Sequence, residues 1–247
     1  MQVAAHTADT LLNGKVRLAQ PATGYRAGID PVFLAAAVPA QDGETAIDAG
    51  AGVGAAALCL AVRVPRAQVL GLELDKAQVE LAHHNAVTSG VADRVRFEVA
   101  DLLARPQRPA VDHVLTNPPY LQPGAFTPPP DPARAQAHVA GPGGLAAWLA
   151  GCLRLLKLGG TLTMIYRADG LAEVLASLPG CGGIEVIPLW PGGGKPAKRM
   201  VVRARRGSRS PLALHPGLVL HQPDGRYTAA AEAVLRSAAP LPVAGSG

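Results

Sequence analysis

Aromatic residues are scarce in this sequence. Phe, Trp and Tyr make up 4% of 247 residues, and two of the four tyrosines, Tyr25 and Tyr120, fall inside motifs taken up below. Cysteine is scarcer still. Cys59, Cys152 and Cys181 are odd in number, widely spaced, set among apolar residues and form no CxxC. That excludes a disulfide framework and a thiolate zinc site, and they read as reduced core thiols of a cytosolic protein. The seven histidines show no ligand spacing, so no metal is expected. His83-His84 reads as a solvated pair on a helix. No run of eighteen apolar residues is present, which excludes a helical membrane span. Met1 to Asn13 lacks a basic start followed by an apolar block, so no secretory leader is expected. No internal repeat and no linker is visible. Acidic residues are missing from one stretch: Lys195 to Arg209 holds seven cations and no carboxylate.

What is present is apolar. Hydrophobic residues make up 49% of the chain, enough for a sizeable core. The length suits one α/β domain over 1–240, with a short extension at 1–24 and a disordered tail at 241–247. Thr10 to Gln20 reads as a hairpin around Asn13-Gly14. Asp30-Pro31 reads as a helix start, with Asp30 as the cap and Pro31 in the first turn. Tyr25 or Arg26, just before it, would cover a ligand.

Four apolar runs then end on chemistry. Thr45-Ala46-Ile47-Asp48-Ala49 leads into Gly50-Ala51-Gly52-Val53-Gly54 and an apolar helix from Ala55 to Val64. Glycines let the backbone turn tightly and approach a ligand. A carboxylate at Asp48 would repel a pyrophosphate, and it suits an amino group or a cationic ligand instead. Gln68 to Leu74 reads as a strand buried on both faces. It ends at Glu73, about twenty residues past the glycines, where a carboxylate can accept ribose hydroxyls. Asp75 and Gln78 then resemble a capping box. Val95 to Asp101 reads as the third strand, ending on a carboxylate placed to accept from an adenine amino group or to cap the next turn. Val111 to Thr116 leads to Asn117-Pro118-Pro119-Tyr120. Two prolines donate no N–H and stop the strand. The Asn117 amide oxygen and the Pro118 carbonyl are two fixed acceptors, and Tyr120 is a flat surface. Together they suit a planar substrate bearing –NH2, such as adenine or a side-chain amide. Fixed acceptors on both N–H bonds would free the nitrogen lone pair without a strong base.

The Pro-rich segment from Leu121 to Gly144, with Arg134 and His138, reads as a substrate-facing loop. Leu145 to Leu158 has helical spacing and stops at Gly159-Gly160, with Trp148 as a core residue. Thr161 to Tyr166 is a strand, Leu171 to Leu178 a helix, and Ile184 to Leu189 with Arg199 to Val202 a terminal antiparallel pair. The cations Lys195, Lys198, Arg199, Arg203, Arg205, Arg206 and Arg209 would form a basic stripe. The remainder of the chain carries −2 against +5 for the whole, so the stripe points to a polyanionic partner.

The order Asp48-x-Gly50-x-Gly52-x-Gly54, Glu73, Asp101, Asn117-Pro118-Pro119-Tyr120 resembles the class I AdoMet-dependent methyltransferases that modify amino groups. With Gly28-Ile29-Asp30 and the basic hairpin, it is most similar to the bacterial tRNA1(Val) adenine-37-N6 methyltransferases. The resemblance runs from about Tyr25 to Arg206. It implies a Rossmann-like fold: a seven-stranded, mostly parallel sheet with a C-terminal antiparallel hairpin and helices on both faces. It implies S-adenosyl-L-methionine as cofactor, held by Tyr25, Asp48, Gly50, Gly52, Gly54, Glu73, Asp101 and Asn117. It implies that Asn117, Pro118, Pro119 and Tyr120 carry the reaction on an adenine splayed out of tRNA. Arg134, Lys198, Arg199, Arg203, Arg205 and Arg206 would then hold the RNA, in the cytoplasm, with no membrane and no metal. Three alternatives share the same atoms: another nucleobase amino group in rRNA or DNA, a protein glutamine amide, and a silent binding module. Glutamine methyltransferases usually carry a helical domain before the glycine motif, which here starts at Asp48. The triple-proline stretch at Pro128-Pro129-Pro130 departs from the family and bears on the choice of RNA.

Overall fold

The computed structural model describes residues 6–22, 26–119 and 143–243. The expected hairpin is present: β1 (His6–Leu11) pairs antiparallel with β2 (Val16–Pro21). Its turn takes positive φ at Leu12, Asn13 and Gly14 (51°, 54° and 84°), the left-handed region that Asn and Gly tolerate.

The main body is one sheet. Its parallel part comprises β3 (Thr45–Ala49), β4 (Gln68–Glu73), β5 (Val95–Val99), β6 (Val111–Thr116) and β7 (Leu156–Arg167). β8 (Cys181–Trp190) and β9 (Arg199–Arg206) run antiparallel to each other, and β9 is antiparallel to β7. The order is β8-β9-β7-β6-β3-β4-β5. These are the seven expected strands. Among the described residues the sheet has nine, because β10 (Ala213–Leu214) and β11 (Leu218–Val219) add to the outer edge of β8.

Side chains alternate across the sheet and feed two cores. One face packs α1 (Asp30–Ala37), α2 (Ala55–Arg63), α3 (Lys76–Thr88) and α6 (Ala229–Ser237) over Ala46, Leu115, Ile165 and Val201. The other packs α4 (Gly144–Leu155) and α5 (Leu171–Ala176) over Ile47, Val114, Met164 and Val202. Each fully buried leucine, such as Leu58 or Leu149, contributes about 2 kcal/mol of apolar burial. The two layers thus hold the carboxyl ends of β3, β4, β5 and β6 along one rigid edge.

Several expectations are corrected. Asp30 does not cap α1: Ile29 holds that position with no side-chain bond, and the Asp30 carboxylate pairs with Arg199 at 3.0 Å. The capping box on α3 is half made. Asp75 accepts from Ala77 N, while Gln78 Oε1 lies beside Gly52 instead. Gly159-Gly160 does not end a helix. α4 stops at Leu155, and the glycines lie within β7 at a bulge opposite Val111 and His113. Gly159 takes φ 81°, and a Cβ on Gly160 would lie 2.9 Å from the Asp112 carbonyl. Both β8 and β9 are longer than read, because their antiparallel pairing continues to Cys181 opposite Arg206. The disordered tail does not begin at 241. Leu241 is buried and its N–H donates to Ala36 O at 2.8 Å; residues 244–247 lie outside the described residues.

Candidate active site

The site is built from what leaves the carboxyl edge of the parallel strands. Register sets its level: Ala49 pairs with Leu72 on one side and Thr116 on the other, and Glu73 pairs with Val99. The next residues are Gly50, Leu74, Ala100 and Asn117. With strands about 4.8 Å apart, Glu73 and Asn117 stand roughly 10 Å from one another on either side of the glycine turn.

Gly50, Gly52 and Gly54 all take positive φ (76°, 56° and 87°), which L side chains rarely adopt. Two of them also admit a neighbour. A Cβ on Gly54 would lie 2.5 Å from Phe97 Cζ, and one on Gly50 would lie 2.9 Å from Trp148 Cζ2. Gly54 gives α2 no side-chain cap. Asp48 supplies it from below: Oδ2 accepts from Ala57 N at 3.0 Å. This carboxyl is buried under α2, and burial pushes its pKa up to about 7, with the Glu73 charge adding to the rise.

Glu73 closes the turn. Its Oε2 accepts from Gly52 N at 2.9 Å, and its Oε1 accepts from Leu74 N and Asp75 N at 2.8 and 3.0 Å. A carboxylate has about four acceptor positions, so one on Oε2 is left for a ribose hydroxyl. Beside it, Leu74 and Val99 expose 53% and 51% of their surface. These two apolar side chains were not read as site residues, although each adjoins a carboxylate at a strand end. They offer a dry flank for a flat ring. Asp101 is exposed and caps the following turn through Leu103 N, which donates to Oδ1 at 2.8 Å.

Asn117 and Pro119 are half-buried and Pro118 is buried, directly beyond β6. Tyr25, Tyr120 and Arg134 lie outside the described residues. Thr116 and Trp148 complete the floor and were not read as functional. Thr116 Oγ1 donates to Ala49 O at 2.8 Å and accepts from Trp148 Nε1 at 3.0 Å.

The basic stripe does not form as read. β9 is antiparallel to β7, with Arg199 opposite Arg167 and Arg205 opposite Thr161. Lys198 and Arg199 therefore stand at the site end and Arg205 lies about six residues, ~20 Å, below Arg199. Arg203 is mostly buried and pairs with Glu185 at 2.8 Å, with His215 on the same carboxylate. Arg206 donates to the Leu156 carbonyl. Arg199 pairs with Asp30. Lys195, Lys198, Arg205 and Arg209 are the exposed cations of the stretch. Among the described residues no three His, Cys, Asp or Glu side chains converge as a metal site, and no helix is long and apolar enough to cross a membrane.

The residues present suit S-adenosyl-L-methionine. Its positive sulfonium and amino group suit an edge that carries Glu73 and Asp101 above the buried Asp48 carboxyl, and the cradle of positive-φ glycines leaves no Cβ in the way. Comparison with known proteins agrees. Residues 27–128 match the methyltransferase small domain family. The chain is 30% identical over 210 residues to the tRNA1(Val) (adenine(37)-N6)-methyltransferase of Aeromonas hydrophila, covering 82% of this chain and 85% of that protein. It is 36% identical over 131 residues to the release factor glutamine methyltransferase of Moorella thermoacetica, covering 51% of this chain but only 46% of that protein. A predicted O-methyltransferase from Agrobacterium tumefaciens superposes with TM-score 0.69 at 26% identity, over 83% of this chain and 94% of that one. The chain is an AdoMet-dependent methyltransferase and belongs to the family of the tRNA1(Val) (adenine(37)-N6)-methyltransferases.

Proposed function

We propose that this enzyme methylates N6 of an adenine in tRNA, beside the anticodon. The observation that carries the reading is the placement of Asn117 and Pro118 one step beyond β6, next to the Gly50 turn. Two carbonyl oxygens at that edge accept the two N–H bonds of an exocyclic amino group. Held so, the nitrogen is drawn toward tetrahedral geometry and its lone pair is released. Tyr120 stacks on the splayed base. The cofactor supplies an electrophilic methyl group. Glu73 takes a ribose hydroxyl on its remaining acceptor position, Asp48 answers the amino group through its partly ionised carboxyl, Asp101 contacts the adenine, and Tyr25 covers the ligand. No proton need be removed before attack; the nitrogen, positively charged once it carries the methyl group, then loses one proton to solvent.

RNA is favoured over a protein amide by the extent of likeness. Similarity to the tRNA enzymes runs through 82% of this chain, and similarity to the glutamine enzyme through 51%. Lys195 and Lys198 supply exposed positive charge beside the mouth, with Arg199 half-exposed next to them, and Arg134 would join them from the substrate loop. The substrate would be met in the cytoplasm.

The glutamine reading remains the alternative, because an amide –NH2 presents the same two N–H bonds and the 36% identity extends over 131 residues. One experiment separates them. The enzyme is incubated with labelled AdoMet and, in parallel, unmodified tRNA, rRNA, DNA and release factor, and the labelled product is hydrolysed. Label in N6-methyladenosine from tRNA is expected. Label in N5-methylglutamine, or in rRNA or DNA alone, would replace this reading.

A further inference from the structure

The roles above leave the floor of the site unused. Thr116 and Trp148 meet there in an arrangement more specific than packing requires. Thr116 is fully buried. Its hydroxyl has one proton, which goes to Ala49 O at 2.8 Å, and it accepts from the Trp148 indole N–H at 3.0 Å. With its one proton given to Ala49 O and one lone pair taken by the indole, the β-branched side chain is held in one rotamer.

The positions matter more than the bonds. Ala49 and Thr116 are the last paired residues of β3 and β6. The next residue on one strand is Gly50 of the cofactor turn. On the other it is Asn117. The Thr116 hydroxyl therefore bridges the two strands at the point where their ladder stops. The Trp148 ring also lies against the turn itself: a Cβ on Gly50 would be 2.9 Å from Cζ2 and 3.1 Å from Cη2. One side chain from α4 thus touches the cofactor half and, through Thr116, the half that holds the acceptor amide.

We infer that Trp148 is a positioning residue, whose indole N–H, acting through the Thr116 hydroxyl, sets the height of Asn117 relative to the turn at Gly50. The inference rests on the reading of Asn117 as the amino-group acceptor. Its consequence is that the amide and the methyl donor keep their spacing because both are referred to one indole ring. A misplacement of an ångström at that spacing is enough to slow transfer without changing ligand affinity.

The test compares Trp148→Phe, Thr116→Val, their double variant and Thr116→Ser. Single-turnover methyl transfer to unmodified tRNA, the tRNA KM, S-adenosylhomocysteine affinity and melting temperature are measured for each. Trp148→Phe and Thr116→Val should each slow transfer about tenfold, the size of one lost hydrogen bond, with both affinities within about twofold. The double variant should be no slower than the slower single variant, because both break one connection. Thr116→Ser, which keeps the hydroxyl, should restore most of the rate. A wild-type rate in Trp148→Phe, losses that multiply in the double, or a slower rate matched by weaker cofactor binding would each overturn the inference. A second arm needs no RNA. In Trp190→Phe, Trp148 is the remaining tryptophan, and saturating S-adenosylhomocysteine should shift its emission. Thr116→Val in that background should reduce the shift. An emission that ignores the ligand, or the Thr116 substitution, would sink the inference. Wild-type enzyme that labels no tRNA while the emission behaves as described would instead overturn the substrate assignment.

Discussion

The backbone N–H of Gly52 donates to the Glu73 carboxylate at 2.9 Å. The floor of the glycine turn is thereby tied to the end of the neighbouring strand, and the same carboxylate receives Leu74 N and Asp75 N. Glu73 has two duties, one to the fold and one to the ligand. Glu73→Ala should weaken S-adenosylhomocysteine binding by about 10- to 100-fold, the range for a hydrogen bond to a charged group, and lower the melting temperature as well. Glu73→Gln keeps an acceptor and should lose less of both. Calorimetric titration beside a thermal melt checks this, and full affinity in Glu73→Ala would remove it from the cofactor site.

Asp48 predicts a pH dependence. Its folded pKa is raised to about 7, well above the ordinary carboxylate range, chiefly by burial. A raised carboxyl binds more protons folded than unfolded, so its contribution to stability is fullest below about pH 4 and is lost as pH rises toward 7. Asp48→Asn removes that loss. The stability of wild type minus that of Asp48→Asn should therefore fall across pH 4 to 7 by on the order of a few kcal/mol and level off above. The amino group of AdoMet favours the ionised form, so wild-type affinity should rise over the upper part of that range and the variant's should not. Chemical denaturation at stepped pH reads the first, and a flat difference would contradict it.

Phe97 lies across two glycines. A Cβ on Gly54 or on Gly71 would run into its ring. Gly71 is in a strand with ordinary φ, so Gly71→Ala tests the contact without backbone strain. It should cost about 1–3 kcal/mol by overpacking. Adding Phe97→Leu should recover part of it, the Ala51 Cβ still being 2.9 Å away. Urea midpoints of the wild type, the two single variants and the double give the comparison, and purely additive losses would contradict the packing.

Position along β9 separates binding cations from structural ones. Replacing Lys195 and Lys198 with alanine should lower the salt slope of tRNA binding by roughly 1.4–1.8, about 0.7–0.9 per contact, with the fold unchanged. Arg203→Ala should instead lower the melting temperature, because it leaves the Glu185 carboxylate with only His215. Nitrocellulose binding at several salt concentrations reads the slope, and the opposite pattern would move the interface away from the mouth.

These particulars show which features the chain discloses in one dimension. The strand end before Asn117-Pro118-Pro119 was legible because two successive prolines stop a ladder, and the end at Glu73 because a carboxylate interrupts an apolar run there. The glycine turn was legible from its spacing. What was not legible depends on partners far away in sequence. Asp30 could be read as a cap because Arg199, its ion-pair partner, is 169 residues on. Arg203 read as free because its pairing with Glu185 needs the β8–β9 register. Gly159-Gly160 read as a helix stop because a bulge and a helix end ask the same backbone freedom of glycine. Trp148 read as core, and only the sheet places Thr116 and Gly50 under it.

Asn117→Ala measured two ways tests the central assignment most directly. Single-turnover transfer from labelled AdoMet to unmodified tRNA should fall by several orders of magnitude, below the level of N6-methyladenosine detection, while S-adenosylhomocysteine binds within about threefold of wild type. Retained transfer, or a parallel loss of ligand affinity, would contradict an amide at position 117 that holds the accepting nitrogen.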